Sequence, residues 1–370
     1  MNILLLTKIK KSLLQKWNTS VDEYITTDHF FGGWNNGFKS LGHNTFLNWD
    51  ESFFFPGKLK IKCIFLYRAF NFFLIKTKLK IIDRYLLSRK IARFCTKNKI
   101  DVIYTEINTS ISPLVIKKYA PNVIITQWYG IFPEMSDQIT LKLLSQYDII
   151  WGPCEFDESK ITFDGIQNLK YIGSAVNNKL YFYDYNSDYA YDVVFVGGVG
   201  KGHSKRIEIL EAIAQTIESF AFYGYGEENI PKGYKLKKVY KGWVNSDEMR
   251  KLFSSSRIAL NLTLDGYDRI TRGFNARLFE IAACGGALQM VKADNKLSEY
   301  FTVDEDLVTF ENKEELILKI KFYLAQKEKA REITKSALIK SKEFSYDEKA
   351  KVASKILDDY RLLQIFQNSK

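Results

Sequence analysis

The chain has 370 residues, 46% of them apolar and 26% charged, which suits a globular protein of about two domains and excludes wholesale disorder, a collagen-like fibre and a small disulfide scaffold. The net charge is +11, yet residues 51–100 hold 13 Lys/Arg against Glu51 and Asp83 alone, so the excess is local and the remainder balances. A local basic stripe points to an anionic partner at one place, and not to a nucleic acid wrapping the protein, with a solvated lysine-rich helix face as the equal alternative. Cys63, Cys95, Cys154 and Cys284 form no CxxC pair, and His29, His43 and His203 do not cluster with them, so no structural zinc is expected and a reducing compartment suits the chain. The opening MNILLLTKIKK lacks a basic n-region, and no run of about 18 apolar residues follows anywhere, so neither a signal peptide nor a membrane span is expected and the protein reads as cytoplasmic.

Residues 2–7 (NILLLT) are a short apolar run of the kind that forms a buried strand. Thr26, Thr27 and Asp28 can cap a helix that stops at Gly42, and 44–49 (NTFLNW) supply a second strand. Residues 60–98 read as one or two amphipathic basic helices, with Ile75, Leu79, Ile82 and Leu86 as the apolar stripe and Lys76, Lys80, Arg84, Arg89, Arg93 and Lys97 beside it. Further strands fall at 101–105, 122–126, 148–151 and 170–173, with helices at 112–119 and 138–146 between them. The polar, aromatic stretch at 177–191 has neither period and reads as a linker. A second alternating series follows, with strands at 192–197, 219–223, 257–262, 286–290 and 307–310. Helices fit at 203–216, 246–254, 273–284, 312–325 and 327–342, and a last one at 345–366 begins with Ser345 and Glu348 as a capping box. Strand–helix alternation of this kind predicts an α/β protein of two Rossmann-like, doubly wound domains. Their boundaries fall at 1–176 and 192–344 around the linker 177–191, leaving 345–370 as a C-terminal helix.

Two segments carry chemistry. Gly197, Gly198, Val199, Gly200, Lys201 and Gly202 follow a strand and open a helix, so backbone N–H groups and the helix dipole can meet a phosphate while Lys205 and Arg206 add charge. The spacing is not that of a P-loop, and a flexible turn is the alternative. The second segment runs from Arg269 to Ala287 as loop, helix, glycine stop and buried strand. Arg272 and Glu280 share one helical face, an arginine suited to a diphosphate and a carboxylate suited to ribose hydroxyls. The alternative is an Arg277–Glu280 ion pair on a surface helix.

The run GFNARLFEIAACGGA at 273–287 resembles the donor-binding helix of GT-B glycosyltransferases, in the form NxRxFExxAxG of their spore-maturation-protein-like branch. DVVFVGG at 192–198, YKGWVNSDEMRKLFSSSRIALNLT at 240–263, EELILKIKFYLAQKEKAREI at 314–333 and FSYDEKA at 344–350 resemble successive parts of the same donor domain. The resemblance covers about 190–365 well, and the first half only loosely through LGHNT. It implies a GT-B architecture with two domains facing a cleft, and a nucleoside-diphosphate sugar, UDP-linked in the first instance, as co-substrate without cofactor or metal. It also assigns donor binding to Gly197, Gly198, Lys205, Arg206, Arg272, Gly273, Asn275, Arg277 and Glu280. Retaining members carry two glutamates eight positions apart; Glu280 matches the second, but Arg272 occupies the place of the first.

The acceptor side belongs at the C-terminal strand ends of the first domain, where Glu106, His29 and Asp28 are the candidate bases. Gln127, Trp128, Tyr129 and Glu155 lie at neighbouring strand ends. The expected function is sugar transfer to a glycan, lipid-linked or surface-polysaccharide acceptor, with the basic segment 58–99 meeting an anionic membrane surface and no nucleic acid involved. A nucleotide-sugar epimerase or phosphorylase on the same fold, or a non-catalytic sugar-binding protein, are the alternatives.

Overall fold

The computed structural model describes residues 1–7, 29–49, 80–106, 111–129, 142–152, 169–184, 191–200, 204–262 and 274–368. The chain divides into two units, Met1–Gly173 together with Lys349–Lys370, and Ser174–Glu348.

In the first unit, the apolar runs pair as β1 (Asn2–Thr7), β2 (Asn44–Trp49), β3 (Val102–Glu106), β4 (Ile124–Trp128), β5 (Ile149–Gly152) and β6 (Leu169–Tyr171), in the order β2-β1-β3-β4-β5-β6. Every pair is parallel. Parallel strands are covered on both faces, which is why Ile3, Leu4, Leu5 and Leu6 are consecutive apolar residues and all fully buried. Helix α1 (His29–Ser40) lays Trp34 and Phe38 against Tyr104 of β3, and stops where Gly42 takes φ +78°.

Helix α2 (Lys80–Asn98) buries Leu87, Ile91, Ala92 and Cys95. This corrects the expected apolar stripe: Leu86 is 43% exposed, because the core-facing line runs through Leu87, Ile91 and Cys95, one residue further round the helix. Ile75 and Leu79, the basic stretch 58–79 and residues 138–141 of the helix expected at 138–146 lie outside the described residues, as does the side chain of Ile82. Part of the basic stripe has an intramolecular use. Arg84 donates from Nε to the Ile111 carbonyl at 2.7 Å, and Arg89 lies over the ring of Tyr119, on helix α3 (Pro113–Tyr119), at 5.6 Å. Arg93 and Lys97 are exposed. Burial pushes the Cys95 thiol up to about 12, so it is an inert packing group.

The second unit pairs β7 (Val193–Gly198), β8 (Phe220–Tyr225), β9 (Ile258–Asn261), β10 (Leu288–Lys292) and β11 (Val308–Phe310) in the order β11-β10-β9-β7-β8, again all parallel. Its helices are α4 (Ser204–Thr216), α5 (Ser246–Ser255), α6 (Ala276–Cys284), α7 (Lys313–Ala325) and α8 (Lys327–Ser341). Caps set their ends: Asn245 and Glu248 form a capping box on α5, and Gly285 closes α6 at φ +62°. The start of the stretch read as a linker is folded into this unit. Tyr181 sits in its core with Val176, expected at the end of the first domain, and Arg250 joins Asp184 at 3.1 Å and covers the Phe182 ring at 4.5 Å. Aromatic residues without a helical or strand period can still be core when single side chains, not a regular face, point inward. Residues 185–190 lie outside the described residues.

Helix α9 (Tyr346–Asn368) begins at the expected cap, where Ser345 Oγ accepts from the Glu348 N–H at 3.3 Å. From Lys349 onward it counts with the first unit. There Ser354 Oγ is hydrogen-bonded to His43 Nε2 at 2.9 Å, Tyr360 donates to Asp148 at 3.0 Å and Arg361 meets Asp101 at 3.3 Å. No helix among the described residues is long and apolar enough to cross a membrane.

Burial, and then the adjacent amino terminus, hold His43 below its ordinary value of 6.5. A depressed folded-state pKa means that the unfolded chain binds the proton first, so the stability contributed by neutral His43 is complete above 6.5 and is lost as pH falls below it. Amide-exchange protection of residues 349–361, corrected for intrinsic rates, is therefore expected to drop between about pH 7.5 and about pH 5.5. The drop should be smaller in His43→Gln; an equal drop in both proteins would remove His43 as its source.

Candidate functional site

The topology of the second unit defines where a ligand can sit. From β7 the chain goes to β8 on one side, then returns to β9 on the other side of β7. Helices leaving neighbouring strand ends on opposite sides open a crevice there, so the carboxyl ends of β7 and β9 are the place for a ligand.

The end of β7 is built from close backbone approaches. Gly224 has φ +144°, and a Cβ there would overlap the Gly197 carbonyl oxygen. Gly226 has φ +91°, and its Cβ would come within 2.8 Å of the Gly200 nitrogen. The Tyr225 ring covers Gly198, where a Cβ would fall 2.5 Å from it. Sequence reading found Gly197 and Gly198 but missed Gly224 and Gly226. The alternation Tyr223-Gly224-Tyr225-Gly226 at a strand end was the available signal, because glycine inside a strand marks a close backbone approach.

Helix α4 starts just beyond. Lys205 is exposed in its first turn. Arg206 is 7% exposed and turned inward, donating from Nη1 to the Gly198 carbonyl and from Nη2 to the Leu262 carbonyl, each at 2.6 Å, above the Phe195 ring at 5.6 Å. In this structure the guanidinium of Arg206, expected to meet a diphosphate, is hydrogen-bonded to two strand-end carbonyls.

Helix α6 starts at the end of β9. Asn275 is its N-cap, accepting from the Leu278 N–H at 3.3 Å and donating from Nδ2 to Asn261 Oδ1 at 3.1 Å. Arg277 and Glu280 are paired, as the ion-pair alternative held, but the pair is not a surface one. The Glu280 side chain is 7% exposed, and Arg277 also touches the Met249 sulfur and stacks over Phe253 at 5.4 Å. The buried carboxylate marks its neighbours: Tyr181 and Cys284 both titrate above their ordinary values, through burial first and then the Glu280 charge.

Arg272, Gly273 and Asp28 lie outside the described residues. In the first unit, His29 opens α1, although its side chain lies outside the described residues. Glu106 ends β3, half-buried, in register with Trp128 of β4, and the Phe30 ring packs on Trp128 at 5.0 Å. The first turn of α1 and Glu106 therefore meet at the same row of strand ends, which joins two of the three candidate bases to one locality.

Residues 205–354 match a family model described as "Glycosyl transferase-like", so the second unit carries a glycosyltransferase-like domain. No curated protein matches the chain in sequence. Among solved structures, HepE of Anabaena in complex with UDP-glucose is similar at 14% identity, over 97% of this chain and 100% of that chain, with a TM-score of 0.60. Sucrose-phosphate synthase of Thermosynechococcus elongatus is similar at 12% identity, over 98% and 99% of the two chains, with a TM-score of 0.59. AviGT4, a glycosyltransferase involved in avilamycin A biosynthesis, is similar at 12% identity, over 98% of each chain, with a TM-score of 0.60. The fold is the GT-B fold, an α/β architecture of two parallel-sheet Rossmann-like units.

The two kinds of positive-φ glycine in the second unit should respond differently to a methyl group. Gly224→Ala drives a Cβ into backbone and is expected to destabilise by about 3 kcal/mol or more. Gly233, at φ +91° with nothing within 4 Å, should lose only about 1–2 kcal/mol on the same change. Denaturant midpoints of the two variants check this, and equal losses would mean that the Gly197–Gly224 approach is not a tight one.

Proposed function

We propose that the protein is a glycosyltransferase that moves a sugar from a nucleoside-diphosphate sugar to a glycan, lipid-linked or surface-polysaccharide acceptor. The observation that carries this reading is the match over residues 205–354, which takes in α4 and α6, on a unit whose glycine-built strand end lies at the topological switch point. A UDP-sugar is the first donor to test, because HepE, on the same fold, is bound to UDP-glucose. The relatives in view are those of the spore-maturation-protein-like branch, on the strength of the 273–287 run.

In this reading the diphosphate lies against the backbone of Gly197 and Gly198 and the first turn of α4, with Lys205, Arg272 and Gly273 around it. Glu280 takes the ribose hydroxyls from its buried place on α6, held by Arg277, while Asn275 fixes the start of that helix. The bond from the anomeric carbon to the diphosphate breaks and a bond to the acceptor oxygen forms. The acceptor hydroxyl proton passes to a base of the first unit, Glu106 before His29 or Asp28. The charge growing on the leaving diphosphate is met by the helix dipole and cationic side chains, without a metal ion. The site of action is the cytoplasmic side of a membrane surface, with the basic segment 58–99 as the contact.

Titration with UDP, GDP, CDP and ADP, followed by thermal unfolding of the full chain, is the primary test. UDP is expected to protect, and protection by none of the four would overturn the donor reading. Within it, Glu280→Gln should weaken UDP binding by about 1–3 kcal/mol, the range of a charge-assisted hydrogen bond. Unchanged calorimetric affinity in a folded variant would take Glu280 out of the site.

The membrane contact is tested separately. The protein should co-sediment with vesicles containing anionic lipid at low salt and come off at high salt, since each Lys/Arg near such a surface adds about 1 kcal/mol that salt screens. Equal partitioning to neutral vesicles, or none to either, would make 58–99 a solvated face.

A further inference from the structure

Arg206 is the one buried cation described at the β7/β9 crevice, and its hydrogen bonds show what it does there. The Gly198 carbonyl accepts from Arg206 Nη1 at 2.6 Å, and the next amide, Val199 N–H, donates to the Tyr225 carbonyl at 2.9 Å. A trans peptide points its C=O and N–H in opposite directions, so the Gly198–Val199 peptide is gripped from both sides. The grip on one side comes from β8 and on the other from α4. The second arm of the same guanidinium holds the Leu262 carbonyl, immediately after β9, also at 2.6 Å. Two rigid arms of one planar group therefore tie together the two strand ends that border the crevice, with the Phe195 ring against the guanidinium. On the other side the glycine turn meets Gly224 and Tyr225 of β8 and Gly226 just after it.

We propose that Arg206 is a positioning residue of the donor site: it sets the Gly198–Gly200 turn relative to the end of β9, and so acts on the donor diphosphate through the orientation of the turn's backbone and not by contact. This rests on the donor reading given above. It separates Arg206 from its neighbour Lys205, whose exposed side chain in the first turn of α4 is placed for direct contact. It also accounts for an arginine at this position. Two carbonyls on separate strand ends need two donors at a fixed angle, and a lysine brings one nitrogen.

The test uses the full chain with UDP as probe, and reads hydrogen exchange of the 194–200 segment in the ligand-free protein alongside calorimetric UDP affinity. Arg206→Met should speed exchange in that segment at least tenfold and raise the Kd for UDP at least tenfold. Arg206→Lys, the variant to rely on should the first not fold, should recover part of both. Glu211→Gln is the stability control, because Glu211 lies on the same helix and anchors the Lys235 and Leu236 N–H groups at 3.1 and 2.8 Å, away from the turn. It should lower the melting temperature and leave the Kd alone. Lost affinity with wild-type exchange in the free protein would mean direct contact and overturn the proposal. Faster exchange with unchanged affinity would reduce Arg206 to a structural part and overturn it as well. Failure of the wild-type protein to bind UDP, GDP, CDP or ADP would be recognised as failure of the donor reading itself, before any variant is compared.

Discussion

The second unit depends on a contact of backbone against backbone. Gly224 lies so close to the Gly197 carbonyl that no side chain fits between β7 and β8 at that level, and Gly226 repeats the approach one step later against Gly200. Parallel strands end at one edge, and what happens at that edge decides where a ligand can go. Here β8 supports the turn after β7 from one side, leaving its other side toward β9, where the chain topology opens a crevice. Gly224, Tyr225 and Gly226 thus shape the turn as much as its own glycines do. They restrict the conformations open to the turn from the β8 side, as the Arg206 guanidinium does from the other.

A different economy governs α6. A carboxylate as buried as that of Glu280 is tolerated because Arg277, one turn back, is held by Met249 and the Phe253 ring and arrives already oriented. Burial first, and then the Glu280 charge, push Tyr181 and Cys284 up, while Arg277 partly offsets the shift. Neither ionises near neutral pH. Asn275 completes the arrangement from the other end, capping the helix with one atom and reaching Asn261 with another, so that α6 begins at a fixed height above β9. Helix start, carboxylate and strand end are consequently one rigid assembly.

Much of this fold was legible because parallel strands buried on both faces are written as short uninterrupted apolar runs, and NILLLT or DVVFVGG admit few other readings. Caps were legible for the same kind of local reason, at Gly42, Gly285 and Ser345. The site was legible in residue type but not in partnership. Arg206 and Lys205 are adjacent cations in the sequence, and only the hundred-degree step of a helix separates the one that turns to the Gly198 and Leu262 carbonyls from the one that faces solvent. The Arg277–Glu280 spacing was plain, but its burial depends on Met249 and Phe253, which lie on α5 and have no sequence relation to it. Leu86 and Leu87 make the same point in the first unit: an amphipathic period locates a face to within a residue, and the packing partner decides which leucine is inside. Tyr181 was assigned to a linker because an isolated inward side chain leaves no period to read.

The two units differ in how the chain closes them. Residues 174–348 are continuous, whereas the first unit is completed by residues 349–370, brought back after the whole of the second has been traversed. Three chemically distinct bonds among those that fasten this returning helix are a hydroxyl on His43, a phenol on Asp148 and a guanidinium on Asp101. Asp148 also accepts from the Ile125 N–H at 2.7 Å and pairs with Lys117 at 2.8 Å, so the Tyr360 phenol shares a carboxylate that is anchored to β4 and α3. Asp101 likewise accepts from the Asn2 N–H at 2.7 Å, at the start of β1. The helix therefore reads positions that exist only once the parallel sheet of the first unit has its register. That register pairs strands far apart in sequence, and loop closure over such lengths adds free energy only slowly with each added residue. A discontinuous unit of this kind is weakened only slightly by the length of the insertion; these three bonds that fasten its last helix lie at the strand starts, and Glu106 and Trp128 lie at the opposite, carboxyl ends.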